Sequence, residues 1–440
     1  MDPVRSESSP RAWLLHFVYD VLWALCGVVT VPWWLTRCMF NRVFRRLVWE
    51  RLGFSLGTLQ VKGDAPRVLV HGVSVGEVKA AQALILNLEE LGYEVVVSAT
   101  TDTGLVVAAK LYGASRVARF PLDFSPVVSR FLRVVSPDAV LLVELEVWPS
   151  FLFVANRIGL PVAVVNGRIT ESSYERYERF RSLLPQFNRI SMFCVQDEEY
   201  AERFRTLSRE QRLIEVTGNI KFDALPVEAR APDAAFRELL LGSFDGAVVV
   251  VGSTHEPEER WAVSAWKESF SEAALIVVPR HPERCEALAA LLAEDGHKVQ
   301  RLTELRASQE ARDLDGVLLV DTVGDLEEIY GMGDVAFVGG TLVEHGGQNM
   351  LEPAAVGTAV VHGPSVTNFV QEARLLQSAG ASVLVDGPEF LGPAVAELLA
   401  DPALRANMGE RAREAILGQR GATAATLRAL GALLPKAGSE

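Results

Sequence analysis

Short apolar runs alternate with longer amphipathic stretches along most of this chain, and this alternation limits the possible folds more than any other feature. Runs such as VVVVG and GVLLVD are apolar throughout, as expected for strands that are covered on both faces of a sheet. Strands that alternate with helical stretches form βα units on a parallel sheet. The predicted strands cover residues 67–73, 94–99, 139–145, 161–165, 192–195 and 214–217, and then 247–251, 275–278, 316–320, 335–338, 358–361 and 382–385.

We therefore predict an α/β protein with two Rossmann-like, doubly wound domains of similar size and a cleft between them. A chain of 440 residues is long enough to give each domain its own core. A polar, proline-bearing stretch at residues 222–233 is predicted to link them. The predicted segments are 1–51, an N-terminal anchor with a basic flank, 52–225, the first domain, and 240–440, the second domain.

Composition excludes some classes of function. The formal net charge of −13 and the pI near 5.2 argue against nucleic acid as the main partner. The four cysteines show neither metal-ligand nor disulfide-framework spacing, which indicates free thiols in a reducing compartment. Neither half carries a Gly-x-Gly-x-x-Gly fingerprint after its first strand, which disfavours an NAD-dependent oxidoreductase.

The N-terminal segment differs from the rest of the chain. Residues 12–35 form an apolar run in which Asp20 is the only charged residue, and as a helix this run would extend about 36 Å, enough to cross a bilayer. Five arginines follow between Arg37 and Arg51, which the positive-inside rule places on the cytoplasmic side. A spanning helix, an in-plane anchor and a buried soluble helix all remain open, and Asp20 counts against spanning.

The stretch of residues 335–364 carries the strongest local signal for ligand binding. Two glycine pairs, Gly339-Gly340 and Gly346-Gly347, follow an apolar strand, and Asn349 and Glu352 come next, before a proline. A glycine loop at a helix start offers bare N–H groups to an anion, and Glu352 can hold a pair of ribose hydroxyls. The pattern fits a nucleotide-sugar donor with its phosphate facing the glycine N–H groups. Two ordinary glycine turns beside a buried helix are the alternative.

Acidic residues follow two predicted strands of the first half. Ser74 and Glu77 lie at a helix start, where the N-terminal dipole is expected to keep the Glu77 carboxylate ionised near neutral pH. Glu144 and Glu146 share one face at the end of a buried strand, where an unpaired carboxylate is costly. These groups are candidates for a catalytic site, although a glutamate at a helix start is also favourable without any function.

The second half places positive and polar residues after its strands. Ser253 follows one strand, and Arg280 and His281 follow the next. Arg280 is a fixed positive charge suited to a phosphate or a carboxylate, and His281 fits a positioning role better than acid catalysis. The histidines share no metal-ligand spacing, and no serine nucleophile motif is present, so we predict neither a metal nor a cofactor.

Taken together, these segments resemble the 3-deoxy-D-manno-octulosonic acid (Kdo) transferases of Gram-negative lipopolysaccharide synthesis. The resemblance runs in the family's order from the anchor to about residue 390, with Gly72 and Asp325 as mild departures. The matching blocks of the first half are HGVSVGE, VELEVWPS, NGRIT, QDEEYAERF and TGNIKFD. Those of the second half are GSTHEPEE, VPRHPER, VDTVGDLEEIY and FVGGTLVEHGGQNMLEPAAVG.

The resemblance implies a two-domain GT-B glycosyltransferase attached to the inner membrane, with its catalytic domains on the cytoplasmic side near anionic lipid. It implies CMP-Kdo as donor, the lipid A precursor lipid IVA as acceptor, and inversion at the anomeric carbon. Glu77 corresponds to the general base and Glu144 to a second acceptor-side carboxylate. The remaining expected substrate-binding residues are Ser74, Glu146, Ser253, Arg280, His281, Gly339, Gly340, Thr341, Gly346, Gly347, Asn349 and Glu352.

Three other functions are compatible with parts of this pattern. A GT-B enzyme could use UDP-sugars on a lipid-linked peptidoglycan precursor, and a membrane-tethered module could bind a nucleotide sugar without catalysis. Glu77 and Glu144 count against the second, because a binding module has no use for carboxylates beside the acceptor. The third, an oxidoreductase, lacks its fingerprint. The number of Kdo residues added does not follow from the sequence.

Overall fold

A computed structural model describes residues 10–180, 186–208, 213–225, 233–308 and 312–436. Within these ranges the chain forms two seven-stranded sheets in which every strand pair is parallel. The first sheet contains β1 (Arg67–His71), β2 (Glu94–Ala99), β3 (Val117–Arg119), β4 (Ala139–Val143), β5 (Val162–Gly167), β6 (Met192–Val195) and β7 (Leu213–Val216). The second contains β8 (Val248–Thr254), β9 (Ala274–Pro279), β10 (Val299–Arg301), β11 (Val317–Leu319), β12 (Val335–Val338), β13 (Ala359–His362) and β14 (Ser382–Leu384).

Helices connect these strands. In the first half and the N-terminal segment they are α1 (Pro10–Phe40), α2 (Arg42–Arg51), α3 (Val75–Ala80), α4 (Gln82–Glu90), α5 (Asp102–Tyr112), α6 (Ser125–Val135), α7 (Pro149–Arg157), α8 (Glu171–Phe180) and α9 (Glu198–Leu207). Those that follow are α10 (Ala234–Leu241), α11 (Glu258–Ser269), α12 (Cys285–Glu294), α13 (Leu302–Ser308), α14 (Leu326–Tyr330), α15 (Leu351–Val356), α16 (Val370–Ser378), α17 (Leu391–Ala400), α18 (Pro402–Gly418) and α19 (Ala422–Leu430).

The strand order identifies both halves as doubly wound sheets. It is β3-β2-β1-β4-β5-β6-β7 in the first sheet and β10-β11-β9-β8-β12-β13-β14 in the second, so each order reverses beside its first strand, β1 or β8. Ligands bind beyond the carboxyl ends of the strands at such a reversal. The central strands β1, β4, β9 and β12 are buried along their whole length, because apolar clusters cover both faces of each sheet.

All twelve predicted strands are confirmed, with ends that differ by a few residues. The sequence analysis missed β3 and β10, which are three residues long, end in arginine and lie at the edges of their sheets. Their sequences, VAR and VQR, contain no apolar run that the pattern could reveal.

The chain divides into two compact units, which differ from the predicted domains at the C-terminus. Unit 1 comprises residues 1–224 and 419–440, and unit 2 comprises residues 225–418. The second domain was predicted to extend to residue 440, but Ala429, Leu430 and Leu434 are buried in the core of unit 1 beside α4. The predicted linker lies largely outside the described residues, which omit 226–232.

Two helices precede the first sheet. α1 is longer than the predicted run of residues 12–35, and α2 begins immediately after it, with the Asn41 side chain accepting a hydrogen bond from the Phe44 N–H. Among the described residues, Trp13–Phe40 is the one helical segment long and apolar enough to cross a membrane, with a mean hydropathy of 1.8. By length and composition, α1 is compatible with a membrane anchor.

Candidate active site

Three carboxylates gather beyond the carboxyl ends of β1 and β4 in unit 1. Glu77 lies in the first turn of α3, and Glu144 and Glu146 follow β4 directly. The Glu144 charge affects the ionisation of Glu77, and the Glu77 and Glu144 charges both affect that of Glu146, which places the three in one cluster. The structure thus brings together the three acidic residues that the sequence analysis selected in this half.

Glu77 is held by its own helix start. Its carboxylate accepts hydrogen bonds from the Val73 N–H at 2.7 Å and from the Ser74 hydroxyl at 2.8 Å. The Ser74 oxygen in turn accepts the Glu77 N–H at 3.4 Å, so the pair forms a variant of the capping box. Ser74 therefore orients Glu77, which supports both the capping role and the catalytic one.

The surroundings of Glu77 act on its ionisation in the direction opposite to the expected effect of the helix dipole. Burial, reinforced by the Glu144 carboxylate, raises the pKa of Glu77 above its ordinary value, although the hydrogen bonds from Val73 and Ser74 and the charge of Lys221 act in the opposite direction. A raised pKa increases the proton affinity of the carboxylate, as a general base near neutral pH requires.

Glu144 is fixed by two cations. It adopts a left-handed backbone with φ of 62° and is 8 % exposed, a conformation that a non-glycine residue adopts only when its surroundings impose it. Its carboxylate binds Lys221 Nζ at 2.8 Å and Arg168 Nε at 2.7 Å. Burial alone would raise the pKa of Glu144, but Lys221 and Arg168 more than compensate, so its pKa lies below the ordinary value.

Lys221 is a site residue that the sequence analysis did not select. It lies in the short turn Ile220–Phe222 after β7, where the Asn219 side chain accepts its N–H at 3.0 Å. The buried Asn166, with φ of 55°, accepts the neighbouring Ile220 N–H at 3.1 Å. These two asparagines fix the turn that carries Lys221. The block TGNIKFD contained this residue, but its partner Glu144 is too distant in sequence for any spacing rule to link them.

Glu146 is the least compensated carboxylate of the cluster. Burial, followed by the Glu77 and Glu144 charges, raises the pKa of Glu146 to about 8, against a single hydrogen bond from the Trp148 indole N–H at 2.8 Å. The nearest basic group is His71, whose Nε2 is 3.9 Å from the carboxylate, too far for a hydrogen bond. Glu146 is therefore mainly protonated at neutral pH, whereas Glu144 is ionised.

His71 is an uncharged side chain at the border of this site. It is completely buried, stacks on Phe120 with ring centroids 3.8 Å apart, and its Nδ1 lies 2.9 Å from the Ser98 hydroxyl. Burial lowers the pKa of His71 to about 3. It therefore supplies no positive charge that would oppose the rise in the pKa of Glu146.

The glycine loop of unit 2 does not offer bare N–H groups, contrary to the expectation. The fully buried Glu258 carboxylate accepts hydrogen bonds from the N–H groups of Gly340 at 2.7 Å, Thr341 at 3.1 Å and Leu342 at 3.0 Å. It also accepts the His255 N–H at 2.9 Å. The anion at this loop is therefore a side chain of the protein itself, Glu258, which the sequence analysis did not select.

The other glycines and Thr341 also have internal partners. The Gly347 N–H donates to the Gly340 carbonyl at 2.8 Å, and the Gly346 N–H donates to the Ser365 hydroxyl at 3.1 Å. Gly339 lies so close to β8 that an added Cβ would be 2.4 Å from the Thr254 Cα. Thr341 is completely buried, with its hydroxyl bonded to the Val338 carbonyl. Thr341 therefore supports the loop from inside and presents no surface to a ligand, which corrects its prediction as a substrate contact.

Positive groups nevertheless gather beyond β8 and β9. Arg280 is exposed, and no acidic side chain among the described residues forms an ion pair with its guanidinium group. The His255 ring stacks on His345 at 4.2 Å between centroids and lies 5.8 Å from His281. Burial lowers the pKa of His255 to about 4, and the neighbouring basic side chains, Arg280 among them, act in the same direction. His281 itself pairs with Glu283 at 3.2 Å.

Two further predicted donor-site residues take unusual positions. Ser253 has a left-handed backbone with φ of 55° at the irregular end of β8. Asn349 donates a side-chain hydrogen bond to Glu352 at 3.2 Å, and its oxygen accepts the Leu351 N–H at the start of α15. Asn349 therefore orients Glu352.

No group of three or more histidine, cysteine or acidic side chains suited to a metal ion is found in the described part of the chain.

Known proteins match this chain over most of its length. A family model described as 3-deoxy-D-manno-octulosonic-acid transferase (kdotransferase) matches residues 46–224. The 3-deoxy-D-manno-octulosonic acid transferase of Bordetella pertussis is 34 % identical over 384 residues, which cover 83 % of this chain and 87 % of that protein. The Haemophilus influenzae enzyme of the same name is 29 % identical, with coverage of 92 % and 96 %.

Solved structures agree on the fold. The UDP-GlcNAc 2-epimerase of Neisseria meningitidis matches with a TM-score of 0.56 and 14 % identity, covering 83 % of this chain and all of that one. A glycosyltransferase from Rickettsia africae matches with a TM-score of 0.53 and 11 % identity, covering 84 % and 98 %. Together with the two doubly wound sheets and the sequence relatives, these findings show that the chain is a GT-B glycosyltransferase that belongs to the family of 3-deoxy-D-manno-octulosonic acid transferases.

Proposed function

We propose that this protein transfers Kdo from CMP-Kdo to lipid IVA, the lipid A precursor, with inversion at the anomeric carbon and with Glu77 as general base. The relatives named as Kdo transferases support the transferred sugar. The observation that carries the mechanism is the carboxylate cluster of unit 1, in which Glu77 is half-buried, oriented by Ser74 and raised in pKa by its surroundings.

The proposed reaction is a single displacement. The acceptor hydroxyl oxygen forms a bond to the Kdo anomeric carbon while the bond from that carbon to the phosphate oxygen breaks, and CMP leaves with the bonding electrons. Glu77 removes the hydroxyl proton as the new bond forms. Because burial and the Glu144 charge increase its proton affinity, Glu77 is better suited to this step than an exposed carboxylate with an ordinary pKa.

The other residues of the cluster have supporting roles in this proposal. Lys221 and Arg168 compensate the charge of Glu144, and Glu146, with its pKa raised to about 8, adds little charge near neutral pH. The negative charge near Glu77 is thereby limited, which favours entry of a phosphorylated acceptor. The positive side chains of Lys221 and Arg168 also provide attraction for such an anion.

In unit 2 we propose that CMP binds through side chains. Arg280 lies exposed beside His255 and His281, and it supplies the positive field for the phosphate group. Glu352, oriented by Asn349, accepts the ribose hydroxyls. The glycine loop acts indirectly, because Glu258 fixes its backbone. A single phosphate beside the Arg280 guanidinium group is proposed to require no metal ion.

The test is Glu77→Gln in the full-length protein, with Glu90→Gln on the exposed end of α4 as the matched control. Purified protein is incubated with CMP-Kdo and lipid IVA, and the lipid products are quantified by mass spectrometry. Turnover of Glu77→Gln is expected to fall by about 10²–10⁴, while CMP affinity stays unchanged and Glu90→Gln keeps wild-type turnover. If Glu77→Gln retains turnover close to wild type, Glu77 only caps α3, and Glu144 becomes the next candidate base.

Two further arms of this assay test the substrates. UDP-sugars in place of CMP-Kdo should give no product, and transfer from them would favour the peptidoglycan-precursor alternative. The masses of the lipid products also count the Kdo residues added. Attachment to the cytoplasmic face of the inner membrane is part of the proposal, supported by the apolar helix α1 and the arginines that follow it.

A further inference from the structure

The first turns of α1 are bound to the globular part of unit 1. The His16 ring is buried, stacks on Phe153 with centroids 3.8 Å apart, and its Nε2 lies 2.8 Å from the Ser125 hydroxyl. The Tyr19 hydroxyl donates to Asp123 at 2.9 Å, and Asp20 accepts the Ser125 N–H at 3.3 Å. The polar residues that would be costly inside a bilayer are thus used to dock the helix on protein.

The end of α2 is bound to the same stretch of unit 1. Glu50 accepts a hydrogen bond from Arg119 Nε at 2.7 Å, and the Arg51 carbonyl accepts the Leu122 N–H at 2.9 Å. The hydrogen bonds just described therefore attach both α1 and α2 to residues 119–125, a segment that spans at most about 25 Å when fully extended. A bilayer measures about 40–45 Å between its outer surfaces, so both attachments lie on one side of it.

The far end of α1 also remains near the protein. Residues 42–51 form a helix only about 15 Å long, so Asn41, at its start, lies within about that distance of the docked Arg51. The turn is packed internally, because the Trp33 and Trp34 rings lie 5.6 and 5.7 Å from the Phe44 ring between centroids. A hydrocarbon core of about 30 Å leaves no room for this turn on the opposite face.

Between these attachments, α1 and α2 expose an apolar surface with a basic end. Exposed apolar side chains from Val21 onward include Leu25, Val28, Val29, Leu35 and Phe40. Residues 37–51 contain five arginines and one glutamate, a net charge of +4 in a chain whose net charge is −13. Arginines at that end favour the level of anionic headgroups rather than the centre of the bilayer.

We propose that residues 13–51 form a hairpin that inserts into one leaflet of an anionic membrane, with both ends on the side where unit 1 lies, and that α1 does not cross the bilayer. This inference selects the in-plane anchor over the spanning helix. It rests on the contacts of α1 and α2 and is independent of which sugar the enzyme transfers, because its readouts do not require activity.

The topology is tested with the full-length protein carrying one epitope tag before Met1 and another after Glu440. Sealed inside-out membrane vesicles are treated with a protease that cannot cross the bilayer. We expect both tags to be removed at the same rate. Protection of the N-terminal tag while the C-terminal tag is removed would show a spanning helix and overturn the proposal.

The anionic partner is tested by vesicle binding. Arg42→Gln/Arg45→Gln should bind phosphatidylglycerol vesicles about 30-fold more weakly than wild type, from about 1 kcal/mol per arginine, with no change on phosphatidylcholine vesicles. The control, Lys267→Gln/Arg411→Gln, removes two exposed positive charges from unit 2 and should bind as wild type does. Equal weakening by both variants, or a hairpin covered by a second copy of the chain in place of lipid, would overturn the proposal.

Discussion

Glu146→Gln is expected to abolish a loss of stability that the wild-type protein undergoes as the pH rises. The Glu146 carboxyl is 18 % exposed, and burial together with the Glu77 and Glu144 charges raises its pKa to about 8, compared with an ordinary value of 4.5. Between these two values the folded protein holds a proton that the unfolded chain has released. Stability associated with this proton is complete below about pH 4.5 and is lost as the pH rises through about 8.

The size of the effect follows from the two pKa values. They differ by about 3.5, and each pKa unit corresponds to about 1.4 kcal/mol, which gives an upper value of about 5 kcal/mol. Partial exposure of the side chain and relaxation of the site reduce this, so we expect about 3–5 kcal/mol between about pH 5 and pH 9. Glutamine cannot ionise, so Glu146→Gln should not show this loss.

The assay is urea unfolding of the full-length protein in detergent, followed by circular dichroism across this pH range. Glu198→Gln, which removes an exposed glutamate on α9, is the matched control and should retain the wild-type pH dependence. Glu77→Gln should move the loss of stability to lower pH, because the Glu77 charge contributes to the raised pKa of Glu146. If Glu146→Gln loses as much stability with rising pH as the wild type does, the inferred protonation of Glu146 is wrong.

Three further predictions concern unit 2 and the donor. Glu258→Ala leaves four backbone N–H groups without their acceptor and should lower the stability of unit 2 by about 3–5 kcal/mol, with faster amide hydrogen exchange at Gly340. The exposed Glu256→Ala should change stability by less than about 0.5 kcal/mol, and equal effects of the two variants would contradict this account. Glu352→Gln should weaken CMP binding about tenfold in calorimetry, and unchanged affinity would remove Glu352 from the nucleotide site. Transfer should continue at its full rate in excess chelator, whereas strict dependence on a divalent ion would refute the metal-free mechanism.

The sequence predicted the sheets well because their central strands are buried on both faces. The sequences of such strands are uninterrupted apolar runs, which can be recognised without any tertiary information. β3 and β10 lack such runs, and their pairing with β2 and β11 is specified only by the neighbouring strand. The packing of residues 419–440 in unit 1 could not be predicted either, because the local sequence of α19 does not indicate which of the two cores it joins.

The candidate site was predicted in its residue types but not in its charge balance. The positions of Glu77, Glu144 and Glu146 at strand ends were sufficient to select them. Lys221 was missed because it reaches Glu144 from a turn 77 positions further along the chain. The raised pKa of Glu77 was missed because burial depends on neighbours that the sequence does not reveal.

The glycine loop was also predicted only in part. Its position after β12 was evident from the sequence, but the partner of its N–H groups was not, because Glu258 lies 82 positions before Gly340. The N-terminal segment is a similar case. Hydropathy indicated that α1 is a membrane helix, whereas the contacts of His16, Tyr19 and Glu50 determine where its ends lie.

The sequence by itself therefore determined the α/β class, most of the strands, the family and the acidic and basic residues available for chemistry. These depend on local composition and order, which every segment carries independently. The tertiary structure alone decided which charges meet, which N–H groups remain available, which core receives the C-terminus and how the N-terminal hairpin is attached. These depend on contacts between distant segments, and the desolvation and Coulomb energies that tune a site exist only once those contacts form.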